Sequence, residues 1–95
     1  MSQAPVFKFR LYVAGDTQNS VQATANLLAL CNTHLNKRHT IEIVDVLKDP
    51  KRALADGILM TPTLVRLRPA PVRKIVGTLA QTRPVLMALG LEAVP

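Results

Sequence analysis

The residue types that most often carry out chemistry are sparse in this chain. Cys31 is its single cysteine, and its two histidines are His34 and His39. A thiol without a second cysteine forms no internal disulfide and suits a reducing compartment. Neither histidine has a partner cysteine or an acidic motif at ligand spacing, so we expect surface residues rather than metal ligands. The sequence therefore predicts no catalytic residue and no metal site, and it predicts Cys31 to be a small buried apolar residue.

Positive charge is the chemical property that stands out instead. The net charge is +6, and beyond Met60 the acid Glu92 is outnumbered by the basic residues Arg66, Arg68, Arg73, Lys74 and Arg83. A basic surface favours an acidic protein patch, nucleic acid or anionic lipid, or it is simply a solvated sheet face. The chain has few aromatic residues to stack on bases, no Gly-rich RNA-binding strand and no Cys/His finger spacing. We therefore expect no binding to nucleic acid.

The length and hydropathy of the chain limit its organisation. It has 95 residues, and we assign residues 1–95 to a single domain. Its hydrophobic content of 48% argues for a folded protein. No apolar run approaches the ~18–20 residues of a membrane span. The first five residues lack the charged segment and apolar core of a signal peptide, so we expect a cytoplasmic protein without a membrane partner.

The first half of the chain reads as strand, helix and strand. Residues 6–13 alternate and predict a strand whose more apolar face comprises Phe7, Phe9, Leu11 and Val13. After a turn at Gly15, helical spacing predicts an apolar stripe formed by Val21, Ala25, Leu28, Cys31 and Leu35, widened by Leu27 and Leu30. Residues 40–46, rich in Ile and Val, predict a second strand parallel to the first.

The second half predicts a short helix, a hairpin and a last helix. Residues 51–58 are a marginal helix that Gly57 weakens. The apolar runs 63–67 and 72–76 flank Pro69-Ala70-Pro71, which predicts a β-hairpin with these prolines in its turn. Thr82 is a candidate cap for a final helix that Gly90 ends.

The resulting order, β-α-β-α-β-β-α with Pro62 just before the third strand, is the thioredoxin-like arrangement, an α/β fold. A redox protein of this type carries Cys-x-x-Cys after the first strand. This chain has the sequence GDTQNS at 15–20, without a thiol. We therefore do not expect thioredoxin-type catalysis.

Five segments of the chain are specific when they are taken together and in order. They are LYVAG at 11–15, NS at 19–20, VDVLKDP at 44–50, ILMTPTL at 58–64 and PVRKIVG at 71–77. This series resembles the KaiB family, small clock proteins of cyanobacteria with bacterial homologues. The resemblance implies a regulatory protein that is not an enzyme and has no cofactor. It implies binding to the N-terminal ATPase domain of hexameric KaiC, recruitment of KaiA or competition with a clock-output histidine kinase, and modulation of KaiC phosphorylation or output.

The resemblance also implies a change of fold. The first half, to about residue 47, keeps its βαβ structure, whereas the second half exchanges between thioredoxin-like α-β-β-α and a ground state with α-α-β, usually in a homo-oligomer (a tetramer or a dimer). The positions implied for the fold switch are Pro62, Pro69, Pro71, Ala88 and Gly90. The basic positions implied for partner binding are Arg10, Arg66, Arg73 and Lys74.

The chain departs from the family pattern at several surface positions. Gly57 replaces a usual lysine, and Gln22 and Glu42 stand where cyanobacterial members often have basic residues. Residues 77–81 carry no charge, and the acidic C-terminal tail of many relatives is absent. These changes touch surfaces used for KaiA and for control of the fold state. An alternative function is therefore a thioredoxin-fold adaptor that acts in stress or two-component signalling through another protein partner.

Overall fold

The computed structural model of the chain describes residues 6–91, so Glu92 lies outside the described residues. The elements in this part are β1 (Phe7–Val13), α1 (Gln18–His34), β2 (His39–Asp45), α2 (Pro50–Ala55), β3 (Thr63–Arg68), β4 (Arg73–Val76) and α3 (Thr82–Leu89). Their order is the thioredoxin-like α/β order that the sequence predicts. The helix predicted over 51–58 is shorter and starts one residue earlier, at Pro50, where a proline suits the first helical turn.

The strands form one mixed sheet in the order β2-β1-β3-β4, so that β2 and β4 lie at its edges. β1 pairs in parallel with β2, as the sequence predicts, and β2 starts and ends one residue earlier than the predicted range 40–46, with Phe7 opposite His39. β3 runs antiparallel to β1, with Leu64 opposite Leu11. β4 in turn runs antiparallel to β3, with Ile75 opposite Leu64, which completes the predicted hairpin.

Two hydrophobic cores of unequal size lie on the two faces of the sheet. The larger core lies beneath α1 and α3, and its most buried members include Phe9, Leu11, Leu27, Leu64 and Leu89. The smaller core lies beneath α2 and comprises Tyr12, Val44, Ala53 and Val65. Fully burying a large apolar side chain contributes about 1.5–3 kcal/mol. Helix α2 buries a single small side chain, that of Ala53, so apolar packing holds it less firmly than it holds α1 or α3.

The alternation in β1 correctly predicts one face of this strand. Phe7, Phe9, Leu11 and Val13 all belong to the larger core. Tyr12 points to the opposite, more polar face, yet it is fully buried because α2 covers it.

The predicted apolar stripe of α1 is wrong in part. Val21 and Leu28 are 55% and 47% exposed, and Ala25 is exposed as well. The side chains that α1 buries within the helix are Ser20, Ala23, Leu27, Leu30 and Cys31. Apolar residues occupy more than one side of this helix, so helical spacing alone does not select the side that meets the sheet.

The loops agree with the predicted turn residues. Pro69-Ala70-Pro71 connects β3 to β4, and the peptide bonds before Pro62, Pro69 and Pro71 are cis. Gly90 ends α3 with φ of 75°, in the left-handed region that glycine adopts without steric cost.

Candidate partner-binding site

The loop between β1 and α1 is closed by its own hydrogen bonds. The Ser20 hydroxyl oxygen accepts from the Ala14 N–H at 3.0 Å and from the Thr17 hydroxyl at 2.8 Å. This is the position at which a thioredoxin-type enzyme has its reactive thiols. In this chain the hydroxyl groups of Thr17 and Ser20 instead form hydrogen bonds with each other and with a backbone N–H at the start of α1.

Cys31, the thiol of the chain, lies on the buried side of α1 and is fully shielded from solvent. Burial raises the pKa of the Cys31 thiol to about 11, so the group is protonated at neutral pH. A protonated, shielded thiol is a poor nucleophile and a poor metal ligand.

Residues 6–91 contain no cluster of three or more side chains suited to holding a metal ion. Over the same range, none of the helices combines the length and the hydropathy that a transmembrane segment needs.

Arg10, predicted to bind a partner, lies within an ionic network on the α2 side of the sheet. Its Nε donates to Glu42 Oε1 at 2.8 Å, and its Nη1 donates to Asp56 Oδ2 at 3.0 Å. The Arg52 guanidinium on α2 binds both oxygens of Glu42 at 2.8 Å. The buried Tyr12 hydroxyl also donates to Asp56. This ionic network joins α2 and the residue after it to β1 and β2, where apolar packing is thin.

Glu42 gives this ionic network a dependence on pH. Hydrogen bonds from Arg52 and then from Arg10 lower the pKa of Glu42 from 4.5 to about 2. Because the folded-state pKa is the lower one, Glu42 stabilises the fold above about pH 4.5, and its contribution is lost as the pH falls towards 2. We expect Glu42→Gln to be less stable than wild type in urea unfolding at pH 7, with a difference that shrinks at pH values of about 4 and 3.

The matched control is Asp16→Asn, which removes the same charge from an exposed turn. Its stability should stay within about 0.5 kcal/mol of wild type at neutral pH. A difference between Glu42→Gln and wild type that stays constant from neutral to acid pH would contradict the assigned role of Glu42.

Arg66, also predicted to bind a partner, is a buried residue in this fold. Its side chain lies on the same face of β3 as Leu64, and the residue is 6% exposed. Its Nη1 donates to the Leu89 carbonyl at the end of α3, and its Nη2 donates to the Pro71 carbonyl, both at 2.7 Å. Burial, with a smaller contribution from the Arg73 charge, lowers the pKa of Arg66. In this arrangement Arg66 ties α3 to the hairpin turn and is not an exposed contact.

Arg73 and Lys74 are the predicted basic residues that remain at the surface. Both lie on β4, and Lys74 Nζ donates to the Asp56 carbonyl beyond α2. Leu59, Met60 and Val76 line a cavity together with Lys74, and Val72 precedes Arg73 in the chain; these four apolar residues are 93%, 63%, 54% and 55% exposed, in that order. Because Arg73 pairs with Arg66 and Lys74 pairs with Val65, the two basic side chains point to opposite faces of the sheet beside its edge. We call the two basic and the four apolar residues the hairpin face. Leu59 and Met60 belong to the family-like segment 58–64 but were not among the residues predicted to bind a partner, although two adjacent large apolar residues in a loop are a signal for such a role.

The predicted fold-switch positions are spread over three places in the structure. Pro62 is buried just before β3, whereas Pro69 and Pro71 lie in the hairpin turn. Ala88 is exposed on α3. A Cβ atom at Gly90 would lie 3.5 Å from Arg66 Nη1, so one switch position and one basic position are neighbours.

Comparisons with known proteins agree on family and fold. A family model, the KaiB domain, matches residues 10–91. The circadian clock protein KaiB3 of Synechocystis sp. is 42% identical over 86 residues, which is 90% of this chain and 82% of that protein. Chloroplastic thioredoxin z is 17% identical with a TM-score of 0.75, over 94% of this chain and 80% of that one. The N-terminal domain of Synechococcus elongatus SasA is 18% identical with a TM-score of 0.66, over 100% and 93%. At such low identity the two solved structures support the fold alone.

Proposed function

Because this chain belongs to the KaiB family, we propose that it is a non-enzymatic regulator that binds the N-terminal ATPase domain of a hexameric KaiC-type protein. Binding modulates the phosphorylation state of that protein or its output. The relatives are named as circadian clock proteins, which supports a role in timing. KaiA or a sensor histidine kinase is a further candidate partner, and the cytoplasm is the proposed location.

The observation that carries this proposal is the hairpin face. Exposed apolar side chains that lie together in one patch, as Leu59 and Met60 do with Val76, often mark a site where a protein meets a partner. Protein interfaces typically have an apolar centre with a polar rim. Arg73 and Lys74 supply such a rim with positive charge, which fits an acidic patch on the partner. No thiol or metal site is needed for such a role.

The exchange of the second half with an α-α-β ground state, and a resting homo-oligomer, remain predictions from the family resemblance. Their bearing on function is that, in the thioredoxin-like arrangement, the hairpin face brings together the loop between α2 and β3, which carries Leu59 and Met60, and the hairpin turn with β4. A rearranged second half would separate these elements. We therefore propose that the thioredoxin-like arrangement is the one that binds the partner.

Native mass spectrometry of this protein mixed with a KaiC hexamer from the same organism, in ATP and in ADP, tests the proposal. We expect complexes with up to six copies per hexamer, one for each subunit, in amounts that depend on the nucleotide. The physical reason is that each N-terminal ATPase domain presents one equivalent surface. The hexamer alone and this protein alone in each nucleotide are the controls.

An absence of complexes in both nucleotides would contradict the proposed function. It would favour the second candidate, an adaptor that binds another protein. One observation favours that candidate: Glu42 stands where basic residues are common in the family, and it is committed to the ionic network with Arg10 and Arg52. The family resemblance therefore implies that this surface differs in charge from that of cyanobacterial clock members.

A further inference from the structure

The outer edge of β4 is not paired. β4 is the last strand of the sheet, and no other strand within residues 6–91 lies beyond it. The outer edge of such a strand presents backbone N–H and C=O groups that an extended segment of another chain can pair with. β4 is also short, comprising Arg73–Val76.

Grooves lie on both faces of this edge strand; the lining of the α3-side groove is mixed and includes Thr78 and Gln81, whereas that of the α2-side one is mainly apolar. On the α3 side, a groove of about 640 Å³ is lined by Ile75, Leu79, Pro84, Val85 and Ala88 among others. On the α2 side, a cavity of about 210 Å³ is lined by Ile58, Leu59, Met60 and Val76 among others. Residues of β4 line both. Successive side chains of a strand point to opposite faces of the sheet, so a strand added to β4 would place its side chains alternately in the two grooves.

The charge around this edge favours one kind of occupant. Arg73 and Lys74 are exposed on β4, and the residues that line the two grooves in the described structure include no carboxylate. Like charges would oppose pairing of β4 with β4 of a second copy. The groove beside the other edge strand, β2, carries acidic instead of basic residues, because its lining includes Asp16 and Asp45.

We propose that β4 binds an extended, acidic segment of a partner protein as an added strand. The segment carries apolar residues at two or three consecutive positions, which fill the grooves alternately, and acidic residues that flank them. This inference rests on the proposed function only for the identity of the protein that supplies the segment. The site itself follows from the free edge, the two grooves and the charge.

A blocked peptide with the sequence Glu-Glu-Val-Val-Val-Glu-Glu tests the proposal without the partner. In ¹H–¹⁵N NMR titrations we expect saturable shifts of the β4 amides, with a dissociation constant of about 1 mM or below. The amides of β2 should not respond. Two control peptides should bind at least ~10-fold more weakly: one with Lys in place of each Glu, and one with Pro at the first and third Val. The first tests the charge, and the second removes backbone donors.

Ala80→Phe provides the matched variant, since it fills the α3-side groove from an exposed position that is not one of the predicted fold-switch positions. It should weaken peptide binding roughly 10-fold. The control is Ala25→Phe, an equal change at an exposed position beside β2, which should leave peptide binding unchanged.

The proposal is overturned if no saturation occurs up to ~5 mM peptide, if the shifts map to β2, or if the all-Lys peptide binds equally well. These outcomes leave the proposed function intact whenever complexes with the KaiC hexamer form in native mass spectrometry. Conversely, peptide binding at β4 without such complexes supports the site and assigns it to a different partner.

Discussion

Arg66→Ala is expected to lower the free energy of unfolding by about 2–4 kcal/mol. The substitution removes two charged hydrogen bonds, to the carbonyls of Leu89 and Pro71. It also leaves the last turn of α3 without the cation that faces its negative end. Urea unfolding followed by circular dichroism measures the change. Arg68→Ala, two residues along the same strand and exposed, is the matched control and should shift stability by less than about 0.5 kcal/mol.

Two further variants separate the hydrogen bonds of Arg66 from the volume of its side chain. Arg66→Met keeps most of the apolar length but cannot donate, so it should remain destabilised. Arg66→Lys keeps a charge but has no planar fork, so it should reach one of the two carbonyls at most and recover part of the loss. If Arg66→Ala kept wild-type stability and lost only partner binding, Arg66 would be an exposed contact. Its assigned role in joining α3 to the hairpin turn would then be wrong.

The double substitution Arg73→Glu with Lys74→Glu is expected to weaken binding to the KaiC-type partner about 10- to 100-fold. Both side chains are exposed on the hairpin face, so reversing their charge replaces attraction to an acidic surface with repulsion. The stability change should be small, because the loss of the Lys74 contact to the Asp56 carbonyl and of its attraction to the Asp56 carboxylate is offset in part when the repulsion between Arg73 and Arg66 is removed. Titration of the hexamer by calorimetry gives the affinity, and unfolding curves give the stability.

The control for this pair is Lys37→Glu with Lys48→Glu, which changes the net charge equally at exposed positions in other loops. It should reduce affinity by less than about 3-fold, through the general field of the protein alone. Equal affinities for wild type and the Arg73/Lys74 variant would remove these residues from the interface. Equal losses in both double variants would show that net charge, and not the hairpin face, governs binding.

The fold was largely predictable from local patterns. The alternation of β1 and the turn residues Pro69 and Pro71 each depend on neighbouring residues alone, and the structure confirms both predictions. The buried side of α1 was not predictable in the same way. Val21 and Leu28 continue a helical stripe as well as Leu27 does, and the sheet selects among them by contacts that are distant in sequence.

The candidate site was predictable in part. Family resemblance named Arg66 together with Arg73 and Lys74, but burial separates Arg66 from the other two. A buried guanidinium without a carboxylate partner is rare, because desolvation of a charge is costly, so sequence alone favours an exposed arginine. The carbonyls that compensate Arg66 belong to Leu89 and Pro71, which come close only after α3 packs against the hairpin. The ionic network of Arg10 likewise forms only after α2 packs on the sheet, because Arg52 lies on α2 and Asp56 directly follows it.

The shielded position of Cys31 has a practical consequence. Since this chain has one cysteine and its thiol lies between α1 and the sheet, a thiol-reactive dye reports on a single location. Covalent labelling requires that α1 separate from the sheet, so the labelling rate in native buffer counts such opening events. Its dependence on temperature or added partner would distinguish motions of the first half of the chain from those of the hairpin. The labelling rate of Cys31 thus measures how often α1 separates from the sheet.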